Sequence, residues 1–353
     1  MKQTLAIIFG GASSEYKVSL QSAAAVAGAV DANDYDLVLL GITAAGQWLY
    51  YNGPIEQIEE DTWWKHSSCA AAFLSPSRED HGVWVVQQDN IEKKTLDLAF
   101  PVLHGKNGED GTVQGLLQLA GIPCVGSGTL ASALCMDKDA AHRLAQQEGV
   151  LCPAYILVEK REKTAQEIEQ EVLQGMQDTP LPWFVKPVSE GSSFGVTKVE
   201  DYSQLAAALQ HAFKYTKRIV VEQGIEGIEI GCAILGNDEL ITGVPDAIAL
   251  QQGFFDYHEK YTLETARILL PAPVAPQILE NAKDTAKRLY RLFGCKGFAR
   301  VDLFCTKEGT LLFNEVNTIP GLTLHSRYPG MMNAAQVPFK QMIQRLLELA
   351  VEE

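Results

Sequence analysis

Gly297-Phe298-Ala299-Arg300-Val301-Asp302 and, after a short turn, Leu311-Leu312-Phe313-Asn314-Glu315-Val316-Asn317-Thr318-Ile319-Pro320-Gly321 form the stretch whose reading decides the fold. Each half alternates apolar with polar residues and is bounded by Gly or Pro, the pattern of a short buried strand. Side chains two apart on a strand point the same way, so Arg300 and Asp302 share one face, as do Glu315 and Asn317. Lys307-Glu308-Gly309-Thr310 reads as a turn, which predicts a hairpin carrying Asp302, Glu315 and Asn317 on one common face. Three oxygen donors without Cys or clustered His suit a hard cation such as Mg²⁺, shared with substrate phosphates. The hairpin alone fits a charged solvent face equally well. Segments farther out tip the balance.

Residues 276–293 have the apolar spacing of an amphipathic helix, and Phe339 to Leu349 repeats it on the other side of the hairpin. Gln251 to Thr262 mixes aromatics and charges without a period, as a closing lid or an ordinary surface loop would. Arg218 to Gln223 and Ile228 to Leu235 are two strands; Glu222 closes the first and Glu229 opens the second, so both could face a ribose or base. Pro182 to Pro187 is an apolar strand holding Lys186. A lysine in such a run is costly unless it meets an anion, which makes Lys186 a stronger candidate than Lys138, at the start of a helix. The small-residue loop Ser189 to Val196 reads as a hairpin flap able to fold over a phosphate.

At the N-terminus, Leu5 to Phe9 reads as a buried strand, Gly10-Gly11 as a tight turn, and Ser13 or Ser14 as the cap of a helix through Val26. Tyr35 to Ile42 is the next strand. This β-α-β start predicts a parallel sheet with a site at the carboxyl ends of its strands, where Glu15 falls. Glu15 also reads as a first-turn helix acid. Thr95 to Leu103 is a strand emptying into His104-Gly105-Lys106-Asn107-Gly108-Glu109-Asp110-Gly111-Thr112, a loop that can present N–H groups to an anion. It is not a P-loop, since Gly-Lys-Ser/Thr is missing from the chain. Gly126 to Ala131 matches a dinucleotide fingerprint but lacks the acid that would read a ribose. Residues 47–95, with Trp48, Trp63, Trp64 and Trp84, give no functional reading.

These signals divide the 353 residues into units at 1–130, 131–225 and 226–353. Hydrophobic content of 46% and charged content of 21% are ordinary for a globular protein. A net charge of -15, from 44 acids and 29 bases, argues against a nucleic-acid surface. The seven cysteines form no CxxC pair and read as reduced core thiols rather than zinc ligands. No apolar run approaches the ~18 residues of a membrane span, and none near Met1 has signal-peptide length, so the cytoplasm is the expected compartment.

The segments FGGASSEYKVSLQSA, HGKNGEDGTVQGLLQLAGIP, CMDKD, FVKPVSEGSSFGV, FFDYHEKYT, GFARVDLF and NEVNTIPGLTLHSRYP resemble, in order and over nearly the whole chain, the D-alanine-D-alanine ligases of the ATP-grasp superfamily. The resemblance implies an α/β chain, an ATP-grasp fold preceded by a Rossmann-like parallel α/β domain. It implies that ATP phosphorylates the carboxylate of a first D-alanine, and that the amine of a second D-amino acid attacks the acyl phosphate. By motif, Lys138, Lys186 and Lys260 hold phosphates, and Glu222 and Glu229 reach adenine and ribose. Asp302, Glu315 and Asn317 hold two Mg²⁺ ions, or Mn²⁺. Glu15 binds the first ammonium, with Ser192 and Tyr261 orienting it, and His104 supports the first carboxylate. Arg300 and the Gly321 N–H stabilise the oxyanion. Phe255, Ser326 and Arg327 meet the second substrate. Phe255 and the Ser326-Arg327 pair look most like the vancomycin-resistance D-alanine-D-serine branch, while Glu259-Lys260-Tyr261 differs from the lid of D-lactate ligases. Homodimers are common in the family, which leaves that assembly open. The rival readings are another ATP-grasp carboxylate-amine ligase, a nucleotide sensor without turnover, and a dinucleotide oxidoreductase.

Overall fold

Glycines end the first strand because nothing else fits there. Gly10 has φ of 86°, and a Cβ on it would collide with the Ile42 carbonyl of the neighbouring strand. The computed structural model of the chain describes residues 2–87, 90–191, 194–250 and 266–352. Among them, the strands gather into three sheets.

In the first sheet, β1 (Gln3–Gly10) lies parallel to β2 (Tyr35–Ile42) on one side and to β7 (Leu98–Val102) on the other. The expected parallel sheet is confined to these three. β3 (Trp48–Tyr51), β4 (Ala70–Leu74), β5 (Gly82–Gln87) and β6 (Asn90–Thr95) extend it by antiparallel pairing. The tryptophan-rich stretch is therefore structural. Trp63 is fully buried, edge-on to Phe9 with ring centroids 4.9 Å apart, and its ring fills the space a side chain at Gly41 would need. Helix Tyr16–Ala29 follows β1. Its cap position is Glu15, not Ser13 or Ser14, and the Glu15 side chain makes no capping bond. The Ser13 hydroxyl instead accepts the Glu15 N–H at 3.1 Å and donates to the His104 carbonyl at 2.8 Å, tying the loop after β1 to the loop after β7.

The second sheet contains β8 (Tyr155–Glu159), β9 (Trp183–Pro187), β10 (Thr197–Val199) and β11 (Arg218–Gln223) in the order β10-β9-β11-β8. The flanks of the predicted flap, β9 and β10, do pair antiparallel. β11 and the next strand, β12 (Gly227–Leu235), belong to different sheets. The third sheet adds β13 (Ile241–Thr242), β14 (Asp246–Leu250), β15 (Ala266–Leu269), β16 (Phe298–Thr306) and β17 (Leu311–Asn317), ordered β15-β14-β12-β16-β17 with β13 beside β12.

The predicted hairpin is β16-β17, with Arg300 opposite Asn317 and Asp302 opposite Glu315. Its register is fixed by burial. Ile230, Cys232, Ile234, Val301 and Leu303 pack on Ala282, Ala286, Leu289 and Tyr290 of helix Pro276–Leu292. Each large apolar side chain so buried contributes about 1.5 to 3 kcal/mol, and a slip of a single residue would turn Arg300 and Asp302 into that core. The first sheet is closed differently: Met342, Ile343, Leu346 and Leu347 of helix Phe339–Leu349 share a core with Leu5, Ile7, Phe9 and Leu20. Among the described residues no helix is long and apolar enough to cross a membrane.

Candidate active site

Because side chains alternate, the face of the third sheet turned away from its helix carries the charges. Asp246, Gly231, Asp302 and Glu315 lie in one row across β14, β12, β16 and β17, with Glu229, Arg300 and Asn317 beside them. This is not a solvent face, since Asp302 is only 1% exposed. The Arg300 guanidinium forks onto Asp302, with Nε at 2.8 and 3.1 Å and Nη2 at 2.8 Å, and the Asn317 amide donates to Asp302 at 3.0 Å. Arg327, the first residue of helix Arg327–Ala334, crosses above Gly231, where a Cβ would collide with its guanidinium. It bonds both Asp246 oxygens, at 2.9 and 2.8 Å, and Glu229 at 3.0 Å. Burial disfavours both guanidinium charges, but Asp302 beside Arg300 and Asp246 beside Arg327 outweigh it and keep both firmly protonated.

Glu229 and Arg327, assigned by sequence to the ribose and to the second substrate, are thus partners in one ion pair. Around this row, Asp302 pairs with Arg300, Asp246 and Glu229 pair with Arg327, and Glu315 lies opposite Asp302 on the neighbouring strand. No three His, Cys, Asp or Glu side chains among those residues converge to hold a metal alone. What the hairpin supplies is two carboxylates and an amide. That oxygen set fits Mg²⁺ completed by phosphate oxygens.

Glu15 occupies a second corner. It is 6% exposed, and a Cβ on Gly105 or Gly191 would lie 2.5 or 3.0 Å from its Oε2, so the loops after β7 and β9 both close on its carboxylate. Glu109, which sequence reasoning missed, accepts the Gly105 N–H at 2.8 Å and the Ile319 N–H at 3.1 Å. Burial pushes its carboxyl up to about 8, with the nearby Glu15 charge adding to the effect and the two N–H groups opposing it. His104 is 4% exposed, with Nδ1 on the Ile319 carbonyl at 2.9 Å and Nε2 on Ser22 Oγ at 3.1 Å. Both ring nitrogens are engaged by protein, so any support it gives a substrate carboxylate is indirect.

A third corner holds the lysines. Lys186 meets Glu222 at 2.7 Å, with side chains 12% and 2% exposed, and Lys138 reaches the Glu190 carbonyl at 2.7 Å. Behind them, buried His142 donates from Nε2 to the Asn314 carbonyl at 3.0 Å, and its Nδ1 has no partner among the described residues. Ser326 Oγ lies 2.8 Å from Thr323 Oγ1, and a Cβ on Gly321 would come within 2.9 Å of it. Ser192, Phe255, Lys260 and Tyr261 lie outside the described residues.

Burial lowers the His104 and His142 imidazoles below their ordinary value of 6.5. The unfolded chain takes up protons there that the folded chain refuses, so this contribution to stability is complete above 6.5 and is lost as pH falls below it. We expect the melting temperature to drop between about pH 7.5 and about pH 5, less steeply in His142→Gln than in the parent. Parallel curves for the two proteins would remove His142 as a source of the acid sensitivity.

Three sheets, a lysine-carboxylate corner and an oxygen-rich hairpin are features that a ligase of the ATP-grasp class would need. Models described as "D-ala D-ala ligase N-terminus" and "D-ala D-ala ligase C-terminus" match residues 4–127 and 144–348. The chain belongs to the D-alanine-D-alanine ligase family and is an ATP-dependent ligase. It is 44% identical over 357 residues to the vancomycin C-type resistance protein VanC2 of Enterococcus casseliflavus, covering 99% of each chain. It is 41% identical to a D-alanine-D-alanine ligase of Caldicellulosiruptor bescii, covering 100% of this chain and 96% of that one. The crystal structure of the VanG D-Ala:D-Ser ligase from Enterococcus faecalis superposes with a TM-score of 0.91 at 44% identity, over 99% of this chain and 100% of the other.

Proposed function

We propose that the enzyme joins D-alanine to a second D-amino acid, D-serine in preference to D-alanine, for peptidoglycan precursors. The observation that carries this reading is the buried face where Arg300, Asp302, Glu315 and Asn317 meet beside the Glu15 corner. Glu15 holds the first ammonium, with Ser192 and Tyr261, and Lys138, Lys186 and Lys260 hold the phosphates of ATP. Glu222 and Glu229 serve its adenosine end. The first carboxylate takes the γ-phosphoryl group, releasing ADP, and the second amine attacks the acyl carbon. Arg300 and the Gly321 N–H receive the charge that develops on the carbonyl oxygen before phosphate leaves. Asp302, Glu315 and Asn317 would hold Mg²⁺, or Mn²⁺, which would supply positive charge to the phosphates. Residues 1–130 serve the first substrate, and 131–225 and 226–353 close on the nucleotide. Use of ATP favours the cytoplasm.

Two observations support D-serine. The Arg327 guanidinium, held by Asp246, offers a hydrogen-bond partner for a hydroxymethyl group that an aliphatic wall would leave unpaired. The VanG relative described above is a D-Ala:D-Ser ligase. With ATP, Mg²⁺, D-alanine and D-serine at equal concentration, D-alanyl-D-serine should exceed D-alanyl-D-alanine by at least about 10-fold, a modest share of the discrimination open to a site built to bond a hydroxyl. A mixture dominated by D-alanyl-D-alanine would reject the D-serine preference and leave the ligase reading standing.

A further inference from the structure

We propose that His104, Glu109 and Ser22, all from the N-terminal layer, are positioning residues that aim the Gly321 N–H by gripping the backbone on both sides of it. The inference rests on the proposed role of that N–H as an oxyanion donor.

Ile319 is held by both of its backbone groups. Its N–H donates to Glu109 Oε1 at 3.1 Å, and its carbonyl faces His104 Nδ1 at 2.9 Å. Past Pro320 and Gly321, the Leu322 N–H donates to Ser22 Oγ at 3.3 Å, and that hydroxyl lies 3.1 Å from His104 Nε2. A carbonyl oxygen can only accept, so the proton on the imidazole sits on Nδ1, and Nε2 is left as the acceptor for the Ser22 hydroxyl. The polarity then closes on itself: Leu322 donates to Ser22, Ser22 to His104, and His104 to Ile319. Each group in this relay has one role: the opposite tautomer of His104 would set a lone pair on Nδ1 against the lone pairs of the Ile319 carbonyl.

Proline has no N–H, so in the segment Ile319-Pro320-Gly321-Leu322 three N–H groups exist. The outer two are taken by the N-terminal layer. The one between them, on Gly321, has no acceptor among the described residues. A donor left unpaired between two pinned neighbours is the arrangement required to meet charge that appears only during reaction. Glu109 extends the grip, because its other oxygen takes the Gly105 N–H at 2.8 Å and Gly105 abuts the Glu15 carboxylate. The loop that closes on the first substrate and the loop that presents the donor are thereby one unit, and a displacement of one carries the other.

The test uses the full-length enzyme with D-alanine as both substrates. Glu109→Gln keeps the shape but sets an NH₂ against one of the two N–H donors. Its kcat should fall by about 10- to 100-fold, the range for one unsatisfied buried donor. KM for ATP should be unchanged. A dipeptide mimic with a tetrahedral phosphinate in place of the reacting carbonyl should lose affinity by the same factor as kcat/KM. Ser22→Ala releases only Leu322 and should lose less, about 3- to 10-fold, in both readings. Normal kcat in Glu109→Gln overturns the proposal, as does lost kcat with unchanged phosphinate affinity. Should Glu109→Gln melt early, Ser22→Ala decides on the same criteria. If the parent enzyme itself forms no dipeptide, the ligase reading fails first, and this inference with it.

Discussion

Arg300→Ala is expected to lower kcat for dipeptide formation by at least about 100-fold, the loss that follows removal of one oxyanion donor elsewhere. Two effects act together. The fork that reaches Asp302 through Nε and Nη2 is the positive group of the β16 row, so its removal takes away a donor for the transition state. It also strands the Asp302 carboxylate, 1% exposed and directly opposite Glu315, without its counter-ion. Arg300→Lys keeps the charge but cannot reproduce the fork, and should recover only part of the rate. Steady-state rates at saturating ATP and amino acids, with melting temperatures alongside, separate the two effects. In the double variant Arg300→Ala/Asp302→Asn, stability should return while turnover does not. Near-parental kcat in Arg300→Ala would remove the guanidinium from the proposed mechanism.

The second large effect is expected at Asp302 alone. Asp302→Asn halves the carboxylates of the hairpin's donor set and weakens the hold on a divalent ion. Changing a group that merely supports a metal ligand costs 10- to 100-fold in affinity, so loss of a ligand itself should raise the Mg²⁺ needed for half-maximal activity by at least about 100-fold. The readout is a Mg²⁺ titration of ADP release, repeated with Mn²⁺. A titration superimposable on the parent's would exclude Asp302 from the metal set, whatever happened to the maximal rate.

The hairpin was legible because two constraints coincide there. Its period-2 pattern and its buried apolar face demand the same register, so the face shared by Arg300, Asp302, Glu315 and Asn317 could be drawn before any coordinates. Lys186 was legible for a related reason, a charge inside an apolar run. The same logic, applied to Asp246 at the head of Asp246-Ala247-Ile248, would have marked the acid that holds Arg327. What stayed hidden depends on long-range pairing. Glu229 and Arg327 are 98 positions apart, and Glu109 and Ile319 are 210 apart, distances over which a lone sequence carries no local signal. β6 was invisible because five of its six side chains are exposed, so pairing with β5 rather than hydrophobic alternation defines it. The serine cap of the first helix failed because Ser13 spends its hydroxyl on the loop after β7.

The helix Phe339–Leu349 that seals the underside of the first sheet has a bearing on how the protein is made. Leu5, Ile7 and Phe9 leave the ribosome more than three hundred positions ahead of Met342, Ile343, Leu346 and Leu347, which share their core. Until that helix emerges, the part of the nascent β1 layer it will cover stays open, an interval in which a chaperone has something to hold.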